Sequence, residues 1–520
     1  MRLRILLVLL VTVSALTVPA AAAPQIIEVY PDPHAPGDAG EWVIVSTDGH
    51  SGLRVSDGEA STRLPTADRV ILSNSPQQVD PPVNGTPLHT SIQLANSGEV
   101  VRLLDDDGVL DAMEYERARE GVRYHHRYGE VPVGVTPRST SHHTVAQLTP
   151  LVYPGAAGQL EELVAQATDR IIIGCYTFAS PSLTDRLLDR LAAGVSVQLL
   201  CERTPIGGVS SHQVALLDRL SAAGADVRLI GGPTGRYRYH HPKYLVVDDH
   251  AAVLTENFKP AGTGGMDSRG WGVLVGDAAF ANALTAIHAH DAEGADVHRF
   301  DAVRPTLTVT DAPVADGSYP REPAAASHTD VPVALATAPT SADPLLLSTL
   351  TTAETSIRVI TPRLPADGRH FRALVERART GVQVQVLLSN AWYDATENAA
   401  TVAAAERLNA SGVPIRVRIA TPAGRFGKVH AKGAIVDETQ LLVGSVNWND
   451  GAPTRNREVL MLVDDRAVAE VYLAVFDADW QTSSTVGGPL SAMHRWQLGA
   501  AAALAAGLAT WRVRRSVRFA

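Results

Sequence analysis

At 520 residues the chain has room for two or three domains, and a 45% hydrophobic content gives each of them a core. Its 45 basic and 55 acidic side chains leave a formal charge of −10, which excludes a protein that is basic all over its surface and grips nucleic acid in that way. Lysine occurs only at 243, 259, 428 and 432, so nearly all the positive charge is arginine.

In chain order, residues 1–23 read "MRLRILLVLLVTVSALTVPAAAA". Arg2 and Arg4 precede an apolar run from Ile5 to Val18, and small residues Ala20 to Ala23 follow. That order predicts a secretory signal peptide and export. In residues 24–118 short apolar runs ("IIEVY", "EWVIVS", "RVILS", "EVVRLLD") alternate with Gly, Pro, Asp and Asn turns, which predicts a small all-β sandwich. The pattern "IIEVYPDP…GEWVIV…LANSGEVVRLLDDDGVLDAMEY" resembles the lamin-tail domain, an immunoglobulin-like fold. The resemblance implies a binding or tethering module and assigns it no catalytic residue. Residues 119–142 read as a linker. The "RYHH" within them, at 123–126, has no Lys two places on and reads as incidental.

From residue 143 the chain repeats itself at an offset of about 188 residues. "LLDRLAAGVSVQLLCE" is answered by "LVERARTGVQVQVLLSN", and "HPKYLVVDD" by "HAKGAIVDE". A register held that long is an internal duplication. The halves are residues 143–300 and 331–484, joined by a Pro-, Ala- and Thr-rich connector at 301–330. Each alternates helical periodicity with β-branched runs, which predicts an α/β fold with a largely buried mixed sheet. Cys175 and Cys201 each end an apolar run, and either a disulfide or two buried thiols fits them.

The second half carries His430, Lys432, Asp437, Gly444, Ser445 and Asn447, the pattern H-x-K-x4-D-x6-G-S-x-N. The first half carries His241, Lys243, Asp248, Thr255 and Asn257, one residue shorter, with Leu254 in place of Gly444. On a strand, residues two apart share a face, so each His and Lys point into one space. Asp248 and Asp437 fall on the opposite face and read as structural. Imidazole, ammonium, hydroxyl and amide together suit an anionic oxygen. Two units about a pseudo-twofold axis would set two His across one anion, one to attack phosphorus and one to protonate the leaving oxygen. The pattern calls for no metal and no cofactor.

These residues resemble those of the phospholipase D superfamily, over about 143–484. The resemblance implies a duplicated α/β/α sandwich pair, a site between the halves and a phosphohistidine intermediate. It implies catalytic roles for His241, Lys243, Asn257, His430, Lys432 and Asn447, with Thr255 and Ser445 supporting. His241 is expected as nucleophile and His430 as acid and base. A glutamate that often follows the motif is present as Glu458 in "RNREVLMLV", but Gly270 stands in the matching place of "SRGWGVLV". A one-sided site therefore stays open. Arg236 and Arg238, alternating with Tyr237 and Tyr239, read either as a phosphate-binding lip or as a solvated edge. Lys259 and Arg269 read either as lining the entrance or as part of a mobile loop. The expected partner is a phosphodiester substrate, phospholipid or DNA, with no obligate protein partner; a phosphate-binding protein without catalysis is the competing class.

Residues 485–520 close the chain. Trp496 to Trp511 is apolar, Ala-rich and flanked by Trp, and Arg512, Arg514, Arg515 and Arg518 follow. This predicts a single C-terminal membrane span with the catalytic region on the extracellular face, or else an amphipathic terminal helix.

Overall fold

The computed structural model describes residues 23–484 apart from 36, 38, 80, 82, 233, 234 and 312. Residues 1–22 of the expected signal peptide and the whole 485–520 segment lie outside the described residues. The expected membrane placement is corrected here: among the described residues no helix is long and apolar enough to cross a membrane. The longest, Ala395–Ala410 and Arg466–Gln481, have 16 residues, short of the ~20 that a bilayer requires. Their apolar residues form one buried face rather than a continuous belt.

The chain forms two compact units that divide between Gly129 and Glu130. In the first, the strands Val122–His125, Gln25–Tyr30, Trp42–Ser46, Arg69–Ser73 and Thr86–His89 lie side by side in that order. A second sheet runs Ser61–Arg63, Arg54–Ser56, Glu99–Leu104, Val109–Tyr115. Ile26, Val29, Val43, Val45, Val55, Val101 and Leu103 build the core of this unit. The "RYHH" at 123–126 is not incidental. Arg123 is buried and ion-paired with Glu28 at 2.9 Å, and the Trp42 indole donates to the same carboxylate. The strand that carries Arg123 belongs to this unit's sheet, so the β fold runs past residue 118 into the segment read as linker.

The second unit is built on one sheet of 16 strands. At its centre Ser141–Tyr153 pairs antiparallel with His328–Ala338, Val145 opposite Val331. Outward from this pair the two sides repeat the same order. One side runs Ser268–Gly276, His250–Leu254, Lys243–Val247, Arg170–Cys175, Ser196–Glu202, Asp226–Ile230. The other runs Glu458–Asp464, Gln440–Gly444, Gly433–Val436, Ser356–Thr361, Gln383–Leu388, Ile415–Ile419. The duplication in sequence is thus a pseudo-twofold in space. The last three strands of each side are parallel, so helices must return the chain between them. Arg369–Arg379 is one such helix: His370, Phe371, Leu374, Val375 and Ala378 face inward, and its arginines face out. Pro181–Ala192 is another, started by Pro181 and by the Ser180 side chain, which accepts from Leu183 N.

Two buried ion pairs lock the halves together. Arg457 of the second half donates to Asp291, in the last helix of the first half, at 2.7 and 3.0 Å. Arg269 of the first half donates to Asp479, in the last helix of the second, at 2.8 and 3.2 Å. Arg269 is therefore committed to the interface between halves rather than to an entrance. Removing either partner would leave a buried charge, so these pairs hold the halves in one relative position.

Candidate active site

Each motif aspartate ends its strand in a left-handed turn, with φ of 50° at Asp248 and 51° at Asp437. Asp248 accepts from the backbone of Thr168, Asp169 and Arg170, and Asp437 from Glu354, Thr355 and Ser356, all at 2.7–3.0 Å. Partial burial alone would raise the Asp437 pKa, but these bonds outweigh it and hold the carboxyl below the usual range. The aspartates thus clamp the start of the neighbouring strand and face away from the centre. Asp437→Asn is expected to cost about 1–2 kcal/mol of unfolding free energy, measured by urea titration at neutral pH.

On the opposite face the two His–Lys pairs meet. His241 Nδ1 donates to Glu458 Oε2 at 2.8 Å, and Lys243 Nζ lies 3.1 Å from His241 Nε2. His430 Nδ1 lies 3.2 Å from Glu256 Oε1, and Lys432 Nζ lies 3.2 Å from His430 Nε2. Each imidazole is therefore held by a glutamate from the other half. Lys432 also reaches across to Thr255 O at 3.4 Å. Tyr176 stands edge-on to His241 at 4.7 Å, with Lys243 over its ring at 5.6 Å.

Glu256 repairs the gap at Gly270. A Cβ built on Gly270 would lie 2.2 Å from Glu256 Cγ, so the glycine makes the space that the Glu256 side chain fills. The second departure is repaired in the same way. Leu254 lies opposite Gly272, whereas Gly444 lies opposite Leu460, so the small and large residues have exchanged strands. A Cβ on Gly272 would meet Leu254 at 2.6 Å. The site is two-sided. Only Glu256 in "TENF", the one acidic residue of the first motif's turn, signalled this in the sequence; Tyr176 gave no signal.

The supporting hydroxyls tie their turns to the next strand. Thr255 Oγ1 accepts from Trp271 N, and Ser445 Oγ from Val459 N, each at 2.9 Å. Asn257 is buried at 6% exposure, and its Oδ1 has no hydrogen-bond partner among the described residues. Turning that amide over would present its NH2 instead. Asn447 is half-buried in the matching turn. Of the expected entrance pair, Arg236 is taken up by Asp296 at 3.1 Å and by the carbonyls of His290 and Asp291. Arg238 stays exposed. Cys175 and Cys201 are buried side by side on neighbouring strands as free thiols. Among the described residues no group of three or more His, Cys, Asp or Glu is placed to hold a metal ion.

The centre holds more cation than it can comfortably solvate. Burial, with the nearby lysines, pushes His241 down to about 4 and His430 well below its usual range. Burial pushes Lys243 well down and Lys432 down to about 8. Burial raises Glu256 to about 7 even though four lysines pull it the other way. A dry site with neutral imidazoles and crowded ammoniums is stabilised by an incoming anion.

Fold and site together define a duplicated α/β protein whose halves share one two-histidine anion centre. A family model described as "Cardiolipin synthase, PLD-like domain" matches residues 160–273 and 346–480, one span in each half. The chain belongs to the phospholipase D superfamily. It is similar to the mitochondrial cardiolipin hydrolase of Xenopus tropicalis, 33% identical over 110 residues, 21% of this chain and 48% of that protein. It is also similar to the human protein of that name, 36% identical over 55 residues, 11% of this chain and 22% of that one. The chain thus spans at most about half the length of these relatives. Among solved structures, phosphatidylserine synthase of Haemophilus influenzae superposes with a TM-score of 0.54 over 74% of this chain and 97% of that one, at 12% identity. That is a likeness of fold.

Proposed function

We propose that this chain hydrolyses a phosphodiester through a phosphohistidine intermediate, with His241 as nucleophile and His430 as acid and then base. The observation that carries the reading is the pair of imidazoles, each carboxylate-held from the opposite half, in a buried centre with excess cation. Glu458 accepts a hydrogen bond from Nδ1–H of His241, which fixes the tautomer and leaves the Nε2 lone pair to attack phosphorus. The bond from phosphorus to the leaving oxygen breaks, and that oxygen takes a proton from Nε2 of His430, which takes one up to become imidazolium as the anionic substrate enters beside it. Water then enters, His430 takes back a proton, the water oxygen bonds to phosphorus and the phosphorus–nitrogen bond breaks. Lys243, Lys432, Asn257 and Asn447 hold the non-bridging oxygens throughout.

Two asymmetries support this division of roles. The His430 side chain is 23% exposed and that of His241 10%, and the acid and base must exchange protons with water. Glu256, raised to about 7, keeps a proton within reach of His430 near neutrality. The cardiolipin hydrolases among the relatives support a phospholipid substrate. Nuclease action on DNA is the second reading, favoured by the lysines and exposed aromatics described below. The lamin-tail resemblance of the first unit supports a binding or tethering role there.

The test is the purified protein assayed side by side on single-stranded DNA, duplex DNA, phospholipid vesicles and bis(p-nitrophenyl) phosphate. Turnover of at least one is expected. No turnover on any of them at any salt concentration would leave a phosphate-binding protein that lacks the chemistry.

A further inference from the structure

Outside the catalytic centre lies a cleft of about 810 Å3 in the second unit, lined by Lys259, Lys428, Asp267, Tyr319, Trp392 and Tyr393 among others. Its lysines are the two that the chemistry does not use, so all four lysines of the chain converge on one region. All four also act on His430. Lys259 follows Asn257 by two residues, and Lys428 precedes His430 by two. Lys428 begins the short strand Lys428–Val429, so it lies ~6.6 Å along the chain from His430, about one step between phosphates of a stretched polynucleotide, whereas Lys259 follows Asn257 in a tight turn in which its N–H donates to Asn257 O.

The two ammoniums differ. Lys428 pairs with Asp267 at 3.1 Å and lies 5.9 Å from the ring centre of Tyr393. The ammonium of the half-buried Lys259 makes neither a hydrogen bond nor an ion pair among the described residues, although Glu256 and Asp267 attract it from farther off. A largely desolvated cation that no carboxylate contacts, beside a second cation, is a place for an anion. At the same cleft Trp392 and Tyr393 are exposed at 38% and 55%, rings edge to face at 5.7 Å. Exposed aromatics next to backbone-tracking cations are what a single strand requires, because every base offers a face to stack on. The same cleft walls carry hydrogen-bonding side chains, Ser210, His212, Gln213, Thr310 and Asn390, beside apolar Ile206, Met266 and Val314.

We propose that Lys259 and Lys428 form a second phosphate subsite, which holds the phosphate next to the scissile one on a single-stranded nucleic acid, while Trp392 and Tyr393 stack an adjoining base. The inference rests on the proposed phosphodiesterase reading and names its substrate class. Binding is measured without turnover, so the two can fail separately: a fluorescent oligothymidylate is titrated into full-chain His241→Ala protein over a series of salt concentrations.

Adding Lys259→Met is expected to lower the slope of log affinity against log salt by about 0.7, the share of one contact to a single strand. Adding Trp392→Ala is expected to weaken binding ~10-fold with the slope kept. Lys259 slopes equal to the parent's would overturn the subsite. Equal weakening on phosphatidylglycerol vesicles, with no oligonucleotide binding, would replace the strand with a lipid surface. In otherwise wild-type protein, Lys259→Met should lower the ratio of kcat/KM for the oligonucleotide to that for bis(p-nitrophenyl) phosphate at least ~10-fold. An equal loss on both substrates would make Lys259 an electrostatic support of His430 and would overturn the proposal.

Discussion

His241→Ala is expected to show neither steady-state turnover of bis(p-nitrophenyl) phosphate nor a burst, whereas His430→Ala shows a burst of close to one nitrophenolate per site and then stalls. The difference follows from the leaving group. Nitrophenolate departs with little help from an acid, so loss of His430 spares the first step. The second step requires a base to activate water, and without His430 the phosphohistidine accumulates. Steady-state turnover should fall ~10^2- to 10^4-fold, the range for a lost general acid and base. Loss of the nucleophile removes the covalent route altogether. Quenched-flow measurement of nitrophenolate, with mass spectrometry of the trapped enzyme, checks both. A burst in His241→Ala and none in His430→Ala would exchange the two roles. Equal bursts in both would mean that the nearly symmetric halves substitute for one another.

Much of this centre was legible because its residues obey short periods. His and Lys two apart on a strand share a face whatever the rest of the chain does, and the repeat placed both pairs at equal depth. The alternation of helix and strand signals likewise required parallel strands with helical returns. What was not legible depends on which half meets which. Glu256 sits 174 positions from His430, and only the pseudo-twofold brings them together. The exchange of Leu254 and Gly272 relative to Gly444 and Leu460 is likewise a pairing across strands, invisible in either strand alone. Arg236 read either as part of a phosphate-binding lip or as part of a solvated edge, and it is neither, because Asp296, 60 residues on, takes it up. Arg123 looked incidental because its partner Glu28 lies 95 residues back. The membrane placement came from hydropathy in a terminal segment, and none of the described helices supports it.

Glu256→Gln should make the protein more stable above pH 7 and less active. Burial raises Glu256 from its usual 4.5 to about 7 in the folded state. Below pH 4.5 the carboxyl is protonated whether the chain is folded or not, and it costs nothing. Between 4.5 and 7 folding must take up a proton, so stability falls as pH rises, and above 7 the loss is complete. The shift corresponds to about 3 kcal/mol as an upper bound. Glutamine has the shape of the protonated acid and no charge to bury. Urea titrations at pH 4.5 and pH 8 should therefore show a small difference between the variant and wild type at the lower pH. At the higher pH the glutamine variant should be more stable, by up to that amount. A difference that does not change with pH would mean that Glu256 does not titrate in this range. Activity should move the other way, because the variant's amide oxygen can still accept from His430 Nδ1 but cannot stabilise the imidazolium; a loss of ~10- to 100-fold in kcat is expected. The double change Glu256→Val with Gly270→Glu rebuilds the first half on the plan of the second, where Val446 and Glu458 hold those places. Recovery of kcat in that variant would show that His430 requires a carboxylate at this point in space, whichever strand supplies it.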